Sequence, residues 1–433
     1  MNSIFSTKYW CILLAGVICS AISCLFYSPE GSTLPSLIVT ALFILLSMNM
    51  TMENQLYMVA LSLPNTKALG IGGISASIFV CTIAVVMYFL KGKKRLSIPF
   101  LAILITLYCL QYLIRNDDIL MGAVMPVKTL ANILFFTFIS FDNEIAKDSY
   151  HVGLKASIAM FFGIFSAFFA SIIGGSEAGR MTIAGNDPNM ISVEVAFVLS
   201  YLSVAFFTRR QIPNMVYLVM AFVLGVISLM CGSRMGMLLY VFIIIASIML
   251  NTRHVGKSLL LLIVLGIAGA AFLLSPMGQT MIEVFTLRME LLEQADNLSN
   301  GRFEIWEQYF SVLNSNDLYW LFGLGSYEDY GLEEMAHNFL IEDVASYGII
   351  GVIILYSTYI EIYRRQYRHS FRTRPFKPTL YYKIPFLVPL IGSLTLHGLG
   401  SIMVTTMLYI GVLCMVGSEE KRINNIINES STN

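Results

Sequence analysis

An all-α, polytopic integral membrane protein with about 12 transmembrane helices is the fold class this sequence predicts. Composition carries most of that prediction. Of 433 residues, 57% are hydrophobic and 12% charged, with a mean hydropathy of +0.73, whereas soluble domains carry about 25% charged residues. The apolar residues come in long unbroken runs, and a spanning helix needs about 20 of them. A transmembrane β-barrel would alternate apolar and polar positions instead, so that class is excluded. The 27 basic and 27 acidic residues cancel, and no bulk charge draws the chain towards nucleic acid.

In chain order the apolar runs fall at 9–27, 35–61, 69–90, 98–114, 119–140, 152–173, 189–208, 213–232, 235–251, 258–275, 339–361, 384–397 and 400–417. The second is interrupted between Asn49 and Asn54. Short polar connections separate the runs, except for residues 276–338. A loop of that length marks a functional element or a small domain. The chain therefore divides into a first block of spanning helices (1–275), a large loop (276–338), and a second block of helices with a cytoplasmic tail (339–433).

Lys and Arg concentrate on the cytoplasmic side of membrane proteins. Clusters at Lys91 to Arg95, Lys147 with Lys155, Arg209 with Arg210, Arg253 with Lys257, Arg364 to Lys383, and Lys421 with Arg422 mark that side. The loops between them carry only Arg115, Arg180, Arg234, Arg288 and Arg302, so the long loop faces outward. Every outer basic residue in this reading is arginine. A guanidinium grips phosphate or carboxylate through paired hydrogen bonds, although arginines also snorkel at helix ends. Ten crossings follow Lys91, whereas three apolar runs precede it, an odd number. Either 35–63 holds a re-entrant or double pass, or one early run does not span.

The run from Tyr9 to Tyr27, after Lys8, reads as an uncleaved first helix rather than a removable signal. Cys11, Cys19, Cys24, Cys81, Cys109, Cys231 and Cys414 lie in or beside apolar runs without a C-x-x-C, so neither disulfides nor a zinc site is expected.

Within the long loop, residues 280–296 place Ile282, Phe285, Met289 and Leu292 at helical spacing opposite Glu283, Glu290 and Glu293, the pattern of an amphipathic surface helix. A turn at Asn297 to Gly301 leads to a second helix from Arg302, with Phe303, Trp306, Tyr309 and Phe310 on one face. Leu321 to Gly325 forms a glycine-punctuated turn. The acidic stretch from Glu328 to Glu334 then leads to Ala336-His337-Asn338 at the start of the next span.

His337 stands at a helix N-terminus, where imidazole can stay neutral and act as a base, or simply cap the helix. Arg302 opens an amphipathic helix and reads alone as a solvated charge. Arg234 sits in a hairpin with almost no loop, where it snorkels or meets an anion, since an arginine at mid-membrane costs about 2.5–3.5 kcal/mol. Arg180 precedes Asn186-Asp187-Pro188-Asn189, a pattern that also reads as a helix cap. Asp117 and Asp118 are the outer carboxylates closest to a metal-binding pattern, with Arg115 as a rival partner. Lys128 and Glu194 are the main ionisable residues inside spans. Either would fit a transporter, but no internal repeat accompanies them.

The ordered set of Gly179-Arg180 with Asp187-Pro188-Asn189, Ser233-Arg234, Arg302 with Trp306, Phe322-Gly323-Leu324-Gly325, and His337-Asn338 running into Tyr347 to Gly351 resembles the bacterial O-antigen polymerase and ligase superfamily, of Wzy/WaaL type and GT-C-like. The likeness covers about residues 175–360. It implies a multi-pass glycosyltransferase of the bacterial inner membrane with its active site and long loop facing the periplasm. The donor implied is an oligosaccharide on undecaprenyl diphosphate, with the bilayer as the second partner, and a chain-length regulator protein is left open. No cofactor is implied. Family members place arginines at the positions of Arg234 and Arg302 and a histidine at that of His337, giving the catalytic set, while Arg180, Arg288, Asn338 and Trp306 are assigned to substrate binding. On this reading the arginines stabilise the departing diphosphate and His337 accepts the proton of the attacking sugar hydroxyl. A polymerase, passing the chain to a lipid-linked repeat unit, is expected ahead of a ligase, passing it to lipid A core, with a flippase as the reading of another class.

Overall fold

The computed structural model describes residues 6–28, 33–91, 119–174, 186–209, 211–250, 255–276, 278–280, 282–283, 286–287, 290, 301–325, 332, 334–370, 379–394, 398 and 400–431. It is nearly all-α. The helices are α1 (Thr7–Leu25), α2 (Leu34–Ser47), α3 (Met52–Ser62), α4 (Ala76–Leu90), α5 (Ile119–Ile139), α6 (Asn143–Lys147), α7 (Ser149–Gly174), α8 (Pro188–Phe207) and α9 (Asn214–Cys231). They continue with α10 (Arg234–Met249), α11 (Val255–Leu273), α12 (Arg302–Asn314), α13 (Asp317–Phe322), α14 (Phe339–Ser370), α15 (Leu380–Ser393) and α16 (Ile402–Ser431). Among the described residues, five helices are long and apolar enough to cross a membrane, and six shorter apolar helices accompany them. The expected run at 98–114 lies outside the described residues.

The 35–61 run bears on the odd number of early apolar runs. It is two helices, not one: α2 ends at Ser47 and α3 starts at Met52, capped by Thr51 Oγ1 accepting from Asn54 N. The two run in opposite directions. At one end the Ser23 and Ser36 hydroxyls lie 3.0 Å apart and both within hydrogen-bond reach of the Ala68 carbonyl, and Asn65 Nδ2 donates to the Gly163 carbonyl at 3.2 Å. At the other end Glu53 pairs with Lys155 at 3.2 Å, and Tyr9 donates to the Lys155 carbonyl at 2.8 Å. Such polar pairs fasten apolar helices that have no hydrophobic drive to associate in lipid. With α4 following, four helices that alternate in direction precede Lys91. The ends of α1 and α4 bearing Lys8 and Lys91 thus meet the same end as Lys147 and Lys155, where Tyr88 stacks on Phe138 at 4.1 Å.

The 69–90 run also divides. Its first part is a hairpin, β1 (Gly70–Ile71) antiparallel to β2 (Ile74–Ser75), with Ile71 opposite Ile74. Gly72 and Gly73 at the turn have φ of 57° and 75°, the pair of positive values a two-residue hairpin loop demands.

Helix α8 forms the centre of the bundle. It is buried almost all round, as a helix apolar on every face must be, and α7, α9, α10 and α15 pack around it. Glu194 is buried within it at 1% exposure. Lys128, by contrast, is half-buried beside a cavity and donates to the Gly73 carbonyl at 3.2 Å, so it does not lie in the apolar interior.

Candidate functional site

The site lies at the end of the bundle that carries the long loop, where the first turns of α8 and α10 meet. Asp187 caps α8, its carboxylate accepting from Asn189 N at 2.8 Å, with Pro188 at the first helical position. Ser233 caps α10 by accepting from Gly236 N. A Cβ at Gly236 would run into the side chain of Ser192 in α8, so glycine at this position lets the two N-termini touch. Arg234, the first residue of α10, is exposed there. The segment before α8 is tied in turn to the end of α3: Asn186 Nδ2 donates to the Pro64 carbonyl at 2.6 Å and Asn186 Oδ1 accepts from Thr66 at 3.1 Å.

Arg302 opens α12 after Gly301, whose φ is 79°. It is half-buried. Burial and the positive charge of Arg234 lower the Arg302 pKa, while the negative charge of Asp187 acts against them. The three groups therefore stand within electrostatic reach of one another, although 115 residues separate the first from the last. Two guanidinium groups against one carboxylate leave a positive excess, and the positive ends of two helix dipoles add to it. The arrangement suits an anion.

Helix α12 is held over the start of α14. Trp306, one turn on from Arg302, donates its indole N–H to the Ala336 carbonyl at 2.7 Å, and Tyr309 donates to the Glu334 carbonyl at 3.2 Å. Tyr309, Leu313, Leu324, Leu332, Ala336 and Ala345 form a small apolar core of the loop's own, separate from the membrane core. The buried face thus centres on Tyr309 and Leu313; Phe303, expected on it, is 65% exposed. Asn338 caps α14 by accepting from Leu340 N at 3.0 Å. His337, half-buried just before it, has φ of 50°, the one positive value at a non-glycine residue among those described. A side chain in that conformation costs roughly 1–3 kcal/mol, a strain that persists where surroundings fix it and that concentrates at functional sites.

A second contact sets the loop on α14. After α13, Leu324 N donates to the Ala345 carbonyl and Gly325 N to the Ser346 carbonyl, at 2.5 and 3.1 Å. Gly348 breaks the helical path of α14 with φ of 67°, and Gly323 has φ of 79°. Each faces the other's backbone: a Cβ on Gly323 would lie 2.5 Å from Gly348 N, and one on Gly348 would strike the Leu321 carbonyl.

Two cavities flank this assembly. One, of about 570 Å³, carries charged groups, with Lys67, Lys128, Glu342 and Asp343 among its lining residues. It reaches Met335, two residues before His337, and Met190, three after Asp187. The other, of about 520 Å³, is apolar and lies among α9, α10 and α11, bounded by Leu229, Met237, Ile245, Gly266 and Phe272. It begins one helical turn below Arg234.

Arg234, Arg302, Trp306, His337 and Asn338 are therefore brought to one end of the bundle, and Arg180 and Arg288 lie outside the described residues, as do Asp117 and Asp118. The expectation that outer basic residues are all arginine is overturned. Lys67 and Lys128 share a cavity with Met335 because the reversal between α2 and α3 carries residues 63–75 to the same end. Sequence reasoning also missed Asp187 as the counter-charge of Arg302, since its Asp-Pro-Asn setting advertises a helix cap. Among the described residues no group of three His, Cys, Asp or Glu side chains stands close enough to hold a metal.

Residues 219–356, from α9 into α14, match the family model described as O-antigen ligase. The match supports a likeness of this stretch to the O-antigen ligase/polymerase superfamily. The family is one of membrane glycosyltransferase-like enzymes, and the matched stretch contains Arg234, Arg302 and His337. No curated protein and no solved structure matches the chain.

Proposed function

We propose that the protein is a surface-polysaccharide polymerase. It transfers a growing glycan from undecaprenyl diphosphate to a lipid-linked repeat unit, at the periplasmic face of the bacterial inner membrane, by inverting transfer without a metal. The observation that carries this reading is the pairing of Arg302 with Arg234 beside two helix N-termini, at the mouth of an apolar cavity. The paired guanidinium groups suit a diphosphate, and the cavity below suits the first isoprene units of its lipid.

In the proposed step the acceptor hydroxyl oxygen attacks the anomeric carbon, forming the new glycosidic bond as the bond to the diphosphate oxygen breaks. The electron pair leaves with the diphosphate, whose added charge Arg234 and Arg302 stabilise; preorganised donors of this kind are worth about 10²–10³ in rate each. The hydroxyl proton passes to His337, a contribution of about 10²–10⁴. A single displacement inverts the anomeric configuration. Trp306 and Asn338 act at one remove, the first by holding α12 and the second by capping α14 beside the histidine. Arg180 and Arg288 are assigned to the donor's anionic or sugar portion on the family resemblance.

Replacing Arg302 or His337 by alanine should leave the protein in the membrane while long glycan chains disappear from a gel of surface polysaccharide. Wild-type chain lengths in both variants would refute the assignment. The deletion phenotype separates the two acceptors: a polymerase loss leaves core capped with one repeat unit, and a ligase loss leaves bare core.

A further inference from the structure

We propose, building on the function above, that the charged cavity reaching Met335, two residues before His337, is the acceptor pocket, and that it recognises the hydroxyl groups of the acceptor's terminal sugars. At about 570 Å³ it lies within the usual 300–1,000 Å³ of small-molecule sites. Its lining carries two ammonium groups, Lys67 and Lys128, and two carboxylates, Glu342 and Asp343. Balanced charge gives no pull on an ion of either sign. It suits a neutral polyol, whose hydroxyls donate to carboxylates and accept from ammonium groups.

The same four residues differ in freedom. Asp343 is 1% exposed and fixed by the Tyr356 hydroxyl at 2.7 Å and by Gly400 N at 3.5 Å. It forms a rigid floor. Lys67 is exposed, and Lys128 is half-buried with its ammonium group on the Gly73 carbonyl of the hairpin turn. Both end in flexible stems that can swing to a ligand, at a cost in side-chain entropy. Tyr347 and Ile74 supply apolar faces for the ring carbons. Glu342 and Met335 place the cavity next to His337 in the chain, where an acceptor hydroxyl must meet its base.

Origin in the sequence supports the assignment. The floor, from α14, lies inside the stretch that matches the family. The walls come from residues 27–28, α2, residues 66–68, the β-hairpin, Ile78, α5, Met190, and residues 398 and 400–403, all outside it. A shared chemical step with an acceptor particular to each enzyme would divide along that line, so we assign acceptor choice to the walls outside the matched stretch.

The test uses the full-length protein in liposomes with radiolabelled lipid-linked glycan as donor. Two acceptors are titrated separately: the repeat-unit oligosaccharide released from that lipid by mild acid, and lipid A core from cells lacking the glycan. Ile74→Trp fills the cavity from the hairpin, where an aromatic residue is well tolerated in a strand, and the double variant Lys67→Ala/Lys128→Ala removes its ammonium groups. The acceptor that the wild type uses should show a KM raised at least tenfold in both variants, with donor KM and the rate at saturating acceptor within twofold. An unchanged acceptor KM in both variants overturns the pocket. If Arg302→Ala still abolishes transfer in that case, the donor site stands without it; a wild type that transfers to neither acceptor overturns both.

Discussion

Gly348→Ala tests whether the loop must be locked to α14 for chemistry to occur. At φ 67° and ψ 171° the backbone is in a region essentially reserved for glycine, which costs an alanine roughly 1–3 kcal/mol. Its methyl group would also strike the Leu321 carbonyl and Phe322 N, an overpacking worth about 1–3 kcal/mol. The sum, about 2–6 kcal/mol, falls on one junction, while α7 and α8 keep their packing. The junction relieves the strain by parting. That carries α12, with Arg302 at its start, away from His337, and a displacement of about 1 Å in a reacting constellation costs on the order of 100-fold in rate. Transfer of radiolabelled glycan in liposomes should therefore fall about a hundredfold, with normal membrane yield and a normal elution volume. Gly323→Ala should do the same from the opposite face. Ile353→Ala, at an exposed position on the same helix, should leave the rate unchanged. A wild-type rate in both glycine variants would refute the reasoning.

Two other substitutions follow from the same geometry. In Arg302→Lys the ammonium group inherits the burial and the Arg234 repulsion that already lower the arginine, so its pKa falls below the ordinary lysine value of about 10.4. A lysine is charged below its pKa; the variant should keep part of its activity at neutral pH and lose it as the pH rises, in a range where the wild-type profile is flat. Gly266→Leu and Gly269→Leu place side chains in open space beside the apolar cavity and improve helix propensity by about 1 kcal/mol each. Both proteins should fold, yet both should raise the KM for an undecaprenyl-linked donor severalfold. A donor on a two-unit isoprenoid should be affected less, and equal KM values for both lipids in both variants would remove the cavity from lipid binding.

Much of the scaffold was legible because apolar runs report spanning helices directly: the runs at 152–173, 189–208 and 213–232 became α7, α8 and α9 within a few residues. The early topology was legible only in part: the break between Asn49 and Asn54 offered a double pass as one of two readings, and apolar flanks on both sides left the choice open. That one turn reverses the chain and delivers Lys67 to the loop end, which is why the arginine-only reading failed. The helix from Arg302 was legible from its spacing, but its buried face was not. Phe303 and Tyr309 are equally aromatic, and which of them is covered depends on where α14 begins. Arg234 and Arg302 were singled out as lone charges in turns. Their meeting depends on Gly236 against Ser192 and on Trp306 against Ala336, contacts between distant segments that a one-dimensional pattern does not display.

Binding of farnesyl diphosphate, a short soluble relative of the proposed donor lipid, to the purified full-length protein tests the central claim most directly. Removing a hydrogen-bonded charge should cost about 1.5–3 kcal/mol. Arg234→Ala and Arg302→Ala should therefore each weaken the diphosphate at least tenfold, while His337→Ala should bind as the wild type does and transfer no glycan. Arginine variants that bind with wild-type affinity, or a His337→Ala protein that transfers at the wild-type rate, would contradict it.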